Sequence, residues 1–371
     1  MAPVHDELLT RPGPLPFTGP VILVVGARPN FMKIAPLQAE LDRRSIPSIL
    51  VHTGQHYDDT MSGVFFDELG IRPPDHHLEV GSASHAVQTA RVMEAFEPVV
   101  EATDPSWVVV PGDVNSTMAC SLVAAKLGVR VAHLEAGLRS RDWAMPEEIN
   151  RVVTDRVSTL LLAPSTDAVE NLRAEGYPES SIALVGNIMA DTLLANLDRA
   201  KARPILGDLG LEPGAYGVVT LHRPSNVDDP ATLADLIAVL EEVAKTTPLV
   251  WPVHPRIRTA LDLSPAIRAL DPLGYLDAVA LQAGARMVLT DSGGMQEETT
   301  ILGVPCITLR TTTERPVTVT CGTNQLVGTG REEIMHAVDQ ILAGAITGRR
   351  PERWDGDTAR RVVDAMESHR P

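Results

Sequence analysis

The sequence is short of cysteine, short of positive charge and empty of long apolar runs, and each shortage removes a class of protein. It has three cysteines, Cys120, Cys306 and Cys321. An odd count without paired metal-ligand spacing argues against a disulfide framework or a zinc module and fits a reducing cytoplasm. Lys plus Arg number 32 against 48 Asp plus Glu, a net charge of −16. A surface that acidic repels nucleic acid and anionic lipid, so any anionic ligand needs a local basic pocket. No stretch approaches the ~18 consecutive apolar residues of a membrane span. The first twenty residues carry five prolines and lack the apolar centre of a signal peptide, so residues 1–20 read as a flexible tail. Nucleotide fingerprints are missing as well: no Gly-x-Gly-x-x-Gly follows a strand and no Gly-Lys-Ser/Thr loop occurs. Neither a bound NAD nor an ATPase site is indicated.

What is present is enough apolar residue, 44% of 371, to fold, and a length that suggests two domains at roughly 150 residues each. Short apolar runs alternate with helical patterns: Val21–Val25, Ile49–Thr53, Trp107–Pro111, Val131–Leu134, Leu160–Ala163 and Ile182–Val185. A second series follows at Gly217–Leu221, Leu249–Val253, Met287–Thr290, Cys306–Leu309 and Gln325–Val327. Strands apolar on successive residues are covered on both faces, which predicts α/β architecture with two Rossmann-like, doubly wound parallel sheets. The expected units are residues 21–186 and 187–356, with a helix over 357–369. A cleft between the units, at the carboxyl ends of the strands, is where such sheets bind ligands.

The post-strand loops carry the chemistry. After the first strand come Arg28, a planar donor for phosphate or carboxylate, and Lys33 on the next helix. Asp113 follows Trp107–Pro111 and Glu135 follows Val131–Leu134, so two carboxylates sit at neighbouring strand tips; alternatively, Asp113 caps the helix after it. Glu147, Glu148 and Arg151 lie on a helix opened by Pro146, whose apolar face is read as Ile149, Val152, Val153 and Val157. In the second unit His222 and His254 stand at strand ends beside arginines. Ser292, Gly293 and Gly294 open a helix whose free amides suit an anion, with Glu298 a turn further on. Arg310 and Arg315 flank a run of hydroxyls. One unit thus supplies carboxylates and the other anion binders, a combination that suggests a nucleotide diphosphate carrying a neutral group.

The ordered series GARPNFMKIAPL, TGQHY, GDVNST, HLEAGLRS, MPEEINR, VGN, LHRPSN, PVHPR, TDSGGMQEE, RTTTERP and CGTNQLVG resembles the non-hydrolysing UDP-N-acetylglucosamine 2-epimerase family. The resemblance runs from Val21 to about Gly330. It implies a fold similar to GT-B glycosyltransferases, with the C-terminal helix returning to the first domain, and a cytoplasmic homodimer. It also implies interconversion of UDP-GlcNAc and UDP-ManNAc, with neither NAD nor metal as cofactor and neither nucleic acid nor membrane as partner. By motif, the family's acid/base carboxylates fall on Asp113, Glu135 and Glu147, and its histidine near the diphosphate on His222. Arg28, Lys33, Arg151, His254, Ser292, Gly293, Gly294, Glu298, Arg310 and Arg315 match its substrate-binding positions. Hydrolysing relatives lack the EAGLR and PEE-x-NR forms present here. Ala278 stands where many bacterial members carry an aromatic able to stack on uracil. A hydrolysing 2-epimerase, an epimerase of a related UDP-sugar, a GT-B glycosyltransferase and a UDP-sugar sensor are the competing readings.

Many bacterial members are activated by UDP-GlcNAc at a second site that uses cations absent from Gln55-His56-Tyr57-Asp58 and His222-Arg223-Pro224 here. Asp58 adds like charge where a second diphosphate would lie, which costs affinity. The initial rate in the UDP-ManNAc direction is therefore expected to be hyperbolic in substrate and independent of added UDP-GlcNAc. A sigmoidal curve, or a strict need for trace UDP-GlcNAc, is the contrary outcome.

Overall fold

Strands apolar on every residue are stable only between two helical layers, and both sheets are built that way. The computed structural model describes residues 17–54, 68–253 and 263–369; the side chain of Arg28, the stretch Gln55 to Asp58 and His254 lie outside the described residues. Among these residues the first sheet comprises β1 (Val21–Val25), β2 (Ser48–His52), β3 (His76–His77), β4 (Trp107–Pro111), β5 (Arg130–Leu134), β6 (Leu160–Ala163) and β7 (Ile182–Leu184). Its order is β3-β2-β1-β4-β5-β6-β7, parallel throughout. The second comprises β8 (Gly217–Thr220), β9 (Leu249–Pro252), β10 (Ile267–Leu270), β11 (Met287–Thr290), β12 (Cys306–Thr308) and β13 (Asn324–Leu326). Its order is β10-β9-β8-β11-β12-β13, again parallel. The fold is α/β with two doubly wound sheets. The strand order reverses between β1 and β4 and between β8 and β11, so the loops after these four strands border the crevices in which such sheets hold ligands.

Two strands escape the hydrophobic pattern. β3 is two histidines long, and β10 exposes Arg268 and Ala269 in its middle. Both are edge strands, which need no continuous apolar run.

The helix Thr358–Ser368 inserts Ala359, Val362, Val363 and Met366 into the core of the first sheet beside Ile34, Leu37 and Leu41. Asp191 caps it, accepting from the amides of Thr358 at 3.1 Å and Ala359 at 2.7 Å. On its way back the chain passes Gly186, whose φ of +99° and lack of a side chain are both required: a Cβ there would lie 2.1 Å from the Arg353 carbonyl oxygen. The helix Ile188–Lys201 joins the two sheets' helical layers in one apolar cluster, Leu193 with Tyr275, Val279, Ile301 and Trp354. Among the described residues no helix is long and apolar enough to cross a membrane.

The helix Pro146–Val157 corrects its sequence reading. Ile149 is 44% exposed, and the fully buried positions are Glu148, Asn150, Arg151, Thr154 and Asp155. Its polar face turns inward because the strand-end loops offer charged partners there.

Met366 is fully buried, so Met366→Ala is expected to lose about 2–5 kcal/mol of stability through transfer and cavity terms. Denaturant unfolding against Ser368→Ala, an exposed control on the same helix, measures it.

Candidate active site

Beyond β1, the Asn30 side chain shapes the turn by accepting from the amides of Gly26 (3.0 Å) and Ala27 (2.9 Å). This starts the helix Arg28–Arg43, which brings Lys33 to the tip of β5. There the Lys33 ammonium donates to Glu135 Oε2 at 2.5 Å, and both side chains are buried. The other oxygen, Oε1, is buried without a partner among the described residues. Glu135 also has a φ of +76°, a left-handed conformation costing a non-glycine residue about 1–3 kcal/mol and kept only where the surroundings over-determine it.

Asp113 does not cap the helix Asn115–Lys126, whose cap position is Val114. Its carboxylate pairs instead with the buried Arg151 guanidinium. Burial by itself would raise the Asp113 pKa, but the charges of Arg151 and Lys33 outweigh it and hold the group below its ordinary value. Arg151 also binds Glu148, which accepts from the Ser140 amide and hydroxyl and from the Arg141 amide, each at 2.9 Å. Of the paired glutamates, then, Glu148 is fully committed to structure while Glu147 borders the cleft.

In the second half Asp291 organises the loop after β8. Buried at the tip of β11, it accepts from the backbone amides of His222 and Arg223 (3.1 and 3.0 Å) and from Asn226. His222 Nδ1 lies 3.0 Å from Asp291 Oδ1. That contact makes Nδ1 the donor and leaves Nε2 toward the half-exposed side. Ser292 is the cap of the helix Gly293–Leu302, whose first turn holds no acidic residue. A Cβ on Gly293 would lie 2.6 Å from Arg315 Nη1 and 2.9 Å from Glu314 Oε1, so glycine lets these side chains close over the helix start. Arg315 is held by Glu314 and, at 2.7 Å, by Glu297; Arg310 lies 2.9 Å from Glu314. Burial pushes Glu298 up to about 7, with the neighbouring Glu297 adding to the shift.

These residues converge. A cavity of about 490 Å³ is lined by Lys33, Asp113, Glu147 and Arg151 from the first half and by His222, Ser292, Gly293, Gly294, Glu298 and Arg315 from the second. Glu135 stands behind Lys33, and Arg310 behind Glu314. The volume falls within the ~300–1,000 Å³ typical of small-molecule sites.

The family model described as UDP-N-acetylglucosamine 2-epimerase matches residues 39–367. The chain belongs to that family. It is 39% identical over 353 residues to a UDP-2,3-diacetamido-2,3-dideoxy-D-glucuronate 2-epimerase of Pseudomonas aeruginosa, covering 93% of this chain and 99% of the relative. Among solved structures it is similar to the Methanocaldococcus jannaschii UDP-GlcNAc 2-epimerase in complex with UDP-GlcNAc and UDP, at 37% identity and a TM-score of 0.85, over 93% and 99% of the two chains. The Neisseria meningitidis UDP-GlcNAc 2-epimerase bound to UDP-GlcNAc gives the same TM-score at 29% identity, again over 93% and 99%. The two-sheet, GT-B-like architecture of the family is thus this chain's fold.

The sequence pattern did not single out Asp291, Glu297 or Glu314 as site residues, although Glu297 and Glu314 line the cavity, as does Arg223, the arginine read beside His222. A signal existed for Asp291, an acid directly after a fully apolar strand. For Glu297 and Glu314 only their arginine partner, Arg315, was visible.

The raised Glu298 sets a pH dependence. A carboxyl at about 7 in the folded protein and near its ordinary value unfolded favours folding at acid pH, and that contribution is lost as pH rises through 7. Glu298→Gln should therefore raise the Tm relative to the parent at about pH 8, and the gap should close toward about pH 5. Thermal melts at both values check the sign.

Proposed function

We propose that this protein interconverts UDP-GlcNAc and UDP-ManNAc by inversion at C2, through elimination and re-addition of UDP. The observation that supports it most is the opposition of Asp113 and Glu147, on one side of the cavity, to the helix start at Gly293 with His222 and Arg315 on the other. The C2 hydrogen of an N-acetylhexosamine is scarcely acidic. As UDP leaves C1, the growing oxocarbenium acidifies it, and a carboxylate within hydrogen-bond reach removes it. The neutral intermediate is 2-acetamidoglucal. A proton delivered to the opposite face and re-addition of UDP give the epimer, so acids are needed on both sides of the ring.

In this reading Asp113, Glu135 and Glu147 share the acid and base roles. Asp113, held below its ordinary pKa, is ionised at neutral pH and suits the base. Glu135, behind Lys33, acts through the ammonium it holds at the cavity wall. His222, Ser292, Gly293 and Gly294 receive the diphosphate, with N–H donors stabilising the departing charge. Lys33, Arg151, Arg310 and Arg315 hold the carboxylates that frame it, Glu298 accepts from the ribose, and Arg28 and His254 complete the binding set by motif. The proposal includes retention of the intermediate, hence a non-hydrolysing outcome, in a cytoplasmic homodimer. The three cysteines, all free thiols, suit that compartment, and an apolar hollow of about 390 Å³ bordered by Met93, Met118, Pro146 and Ile149 offers a face for a second copy. A second reading, the same inversion on a related UDP-sugar, is favoured by the 39% identity to an epimerase of a diacetamido-glucuronate.

Proton NMR of the reaction in D2O tests both. Deuterium should enter C2 of recovered UDP-GlcNAc and of UDP-ManNAc. Epimerisation with C2 protium retained overturns elimination, free ManNAc overturns the non-hydrolysing outcome, and turnover of the diacetamido-uronate alone favours the second reading. Asp113→Asn and Glu147→Gln should each lower kcat by roughly 100-fold or more with UDP affinity nearly kept, whereas Glu298→Ala should weaken UDP.

A further inference from the structure

His133 lies two residues before Glu135 on β5, is completely buried, and uses both ring nitrogens. Nδ1 is 2.6 Å from Asp155 Oδ1, and Nε2 is 2.8 Å from the carbonyl oxygen of Gly112. Both neighbours are acceptors. A carbonyl oxygen has no proton to give, and Asp155 accepts elsewhere as a carboxylate: its Oδ2 takes the Gly137 amide at 3.1 Å and pairs with Arg139 at 2.7 Å. A neutral imidazole would turn a lone pair on one of these oxygens, which a site without water does not tolerate.

We infer that His133 is a positioning residue, an imidazolium that ties together the three segments bearing the carboxylates of the cleft. Gly112 immediately precedes Asp113. Asp155 lies on the helix Pro146–Val157, two turns beyond Glu147 and on the same buried face as Glu148 and Arg151. Glu135 is on the histidine's own strand end. One ring therefore fixes the loop, the helix and the strand tip relative to one another.

The surroundings suit a buried cation. Arg139 is bidentate to Glu175, at 2.8 and 2.6 Å, so two cations, His133 and Arg139, face two carboxylates, the buried Asp155 and the partly exposed Glu175, with the Tyr177 hydroxyl near them. Burial alone would push Asp155 up, and the facing His133 and Arg139 reverse this, leaving it below its ordinary value. A second, independent observation concerns the backbone. Gly112, whose carbonyl the ring meets, and Glu135, two residues after the ring, both adopt positive φ, +70° and +76°. For Glu135 that conformation is strained, and it needs neighbours that hold it; the doubly anchored ring two residues earlier is such a neighbour.

The inference rests on the reading of Asp113, Glu135 and Glu147 as the groups that flank C2, since only then does their mutual register govern rate. A displacement of about 1 Å at such groups costs up to ~100-fold. His133→Asn keeps a donor where Nδ1 stood, and His133→Gln keeps one where Nε2 stood, so each cuts one tether.

Nitrogen-15 NMR of the wild-type protein labelled at histidine tests the protonation without turnover. Two protonated ring nitrogens for His133 are expected, each with a directly bonded proton. A neutral tautomer overturns the proposal, whether or not the variants fold. In kinetics each variant should lose roughly 10- to 100-fold in kcat, while KM and the Kd for UDP stay within about threefold. An unchanged kcat, or a loss of UDP affinity that matches the loss of kcat, overturns it too. Failure of the epimerase reading shows instead in the wild-type reaction, so the two failures are told apart.

Discussion

A carboxylate withdrawn from water keeps its charge only where a cation or an N–H donor meets it, and the cleft is assembled around that constraint. Lys33 meets Glu135, Arg151 meets Asp113 and Glu148, and Arg310 and Arg315 meet Glu314. Two of these pairs, Lys33 with Glu135 and Arg151 with Asp113, join elements far apart in the chain. Lys33 comes from the helix after β1 and Glu135 from the tip of β5, so the pair can form only when the central strands of the first sheet are in register. Stability and placement of the acids are thus one property. Glu297 and Glu298 are the instructive exceptions: burial dominates at both and raises them, Glu298 to about 7.

This use of cations raises a question about binding. A chain of net charge −16 has committed most of its cleft arginines to its own glutamates. Among the described residues, what remains for an anion is mostly dipolar and directional, with Arg223 the loosely paired cation. The amides at Gly293 and Gly294 open a ten-residue helix with no acid in its first turn, and Arg223 has its nearest carboxylate, Glu314, only at 3.8 Å. Amides fixed by a helix need no counter-charge to keep them in place, and they do not compete with the carboxylates opposite for a shared proton. The site can therefore hold acids and bind an acid's anion in the same small volume.

The central strands were legible in the sequence because a strand buried on both faces leaves an uninterrupted apolar run, as Val21–Val25 and Trp107–Pro111 do. The edge strands β3 and β10 were not, since an edge residue needs no apolar character. Placement of Asp113, His222 and Ser292 at one cavity followed from their positions after strands at the two topological switch points, whereas Glu147 reaches it from the helix after β5. The pairing of acids with bases did not: Asp291 and His222 are 69 residues apart, and sequence carries no mark of that distance. The helix Pro146–Val157 shows how a simple period misleads. Its valines and Ile149 suggested a buried apolar stripe, but a charged stripe had better partners inside.

The close contact of Gly186 with Arg353 has a mechanical consequence. β7 belongs to the first sheet and β8 to the second, while the helix Arg331–Leu342 packs on the second sheet and the helix Thr358–Ser368 returns to the first. The chain therefore crosses between the two lobes twice, and the crossings touch where Gly186 meets Arg353. A single connector would let one lobe twist freely against the other. Two adjacent connectors behave like the pair of screws in a door hinge: they leave bending about one line soft and make torsion stiff. The acids of one lobe and the helix start of the other are thus held in register by covalent chain at two adjacent points, and not by side-chain packing alone.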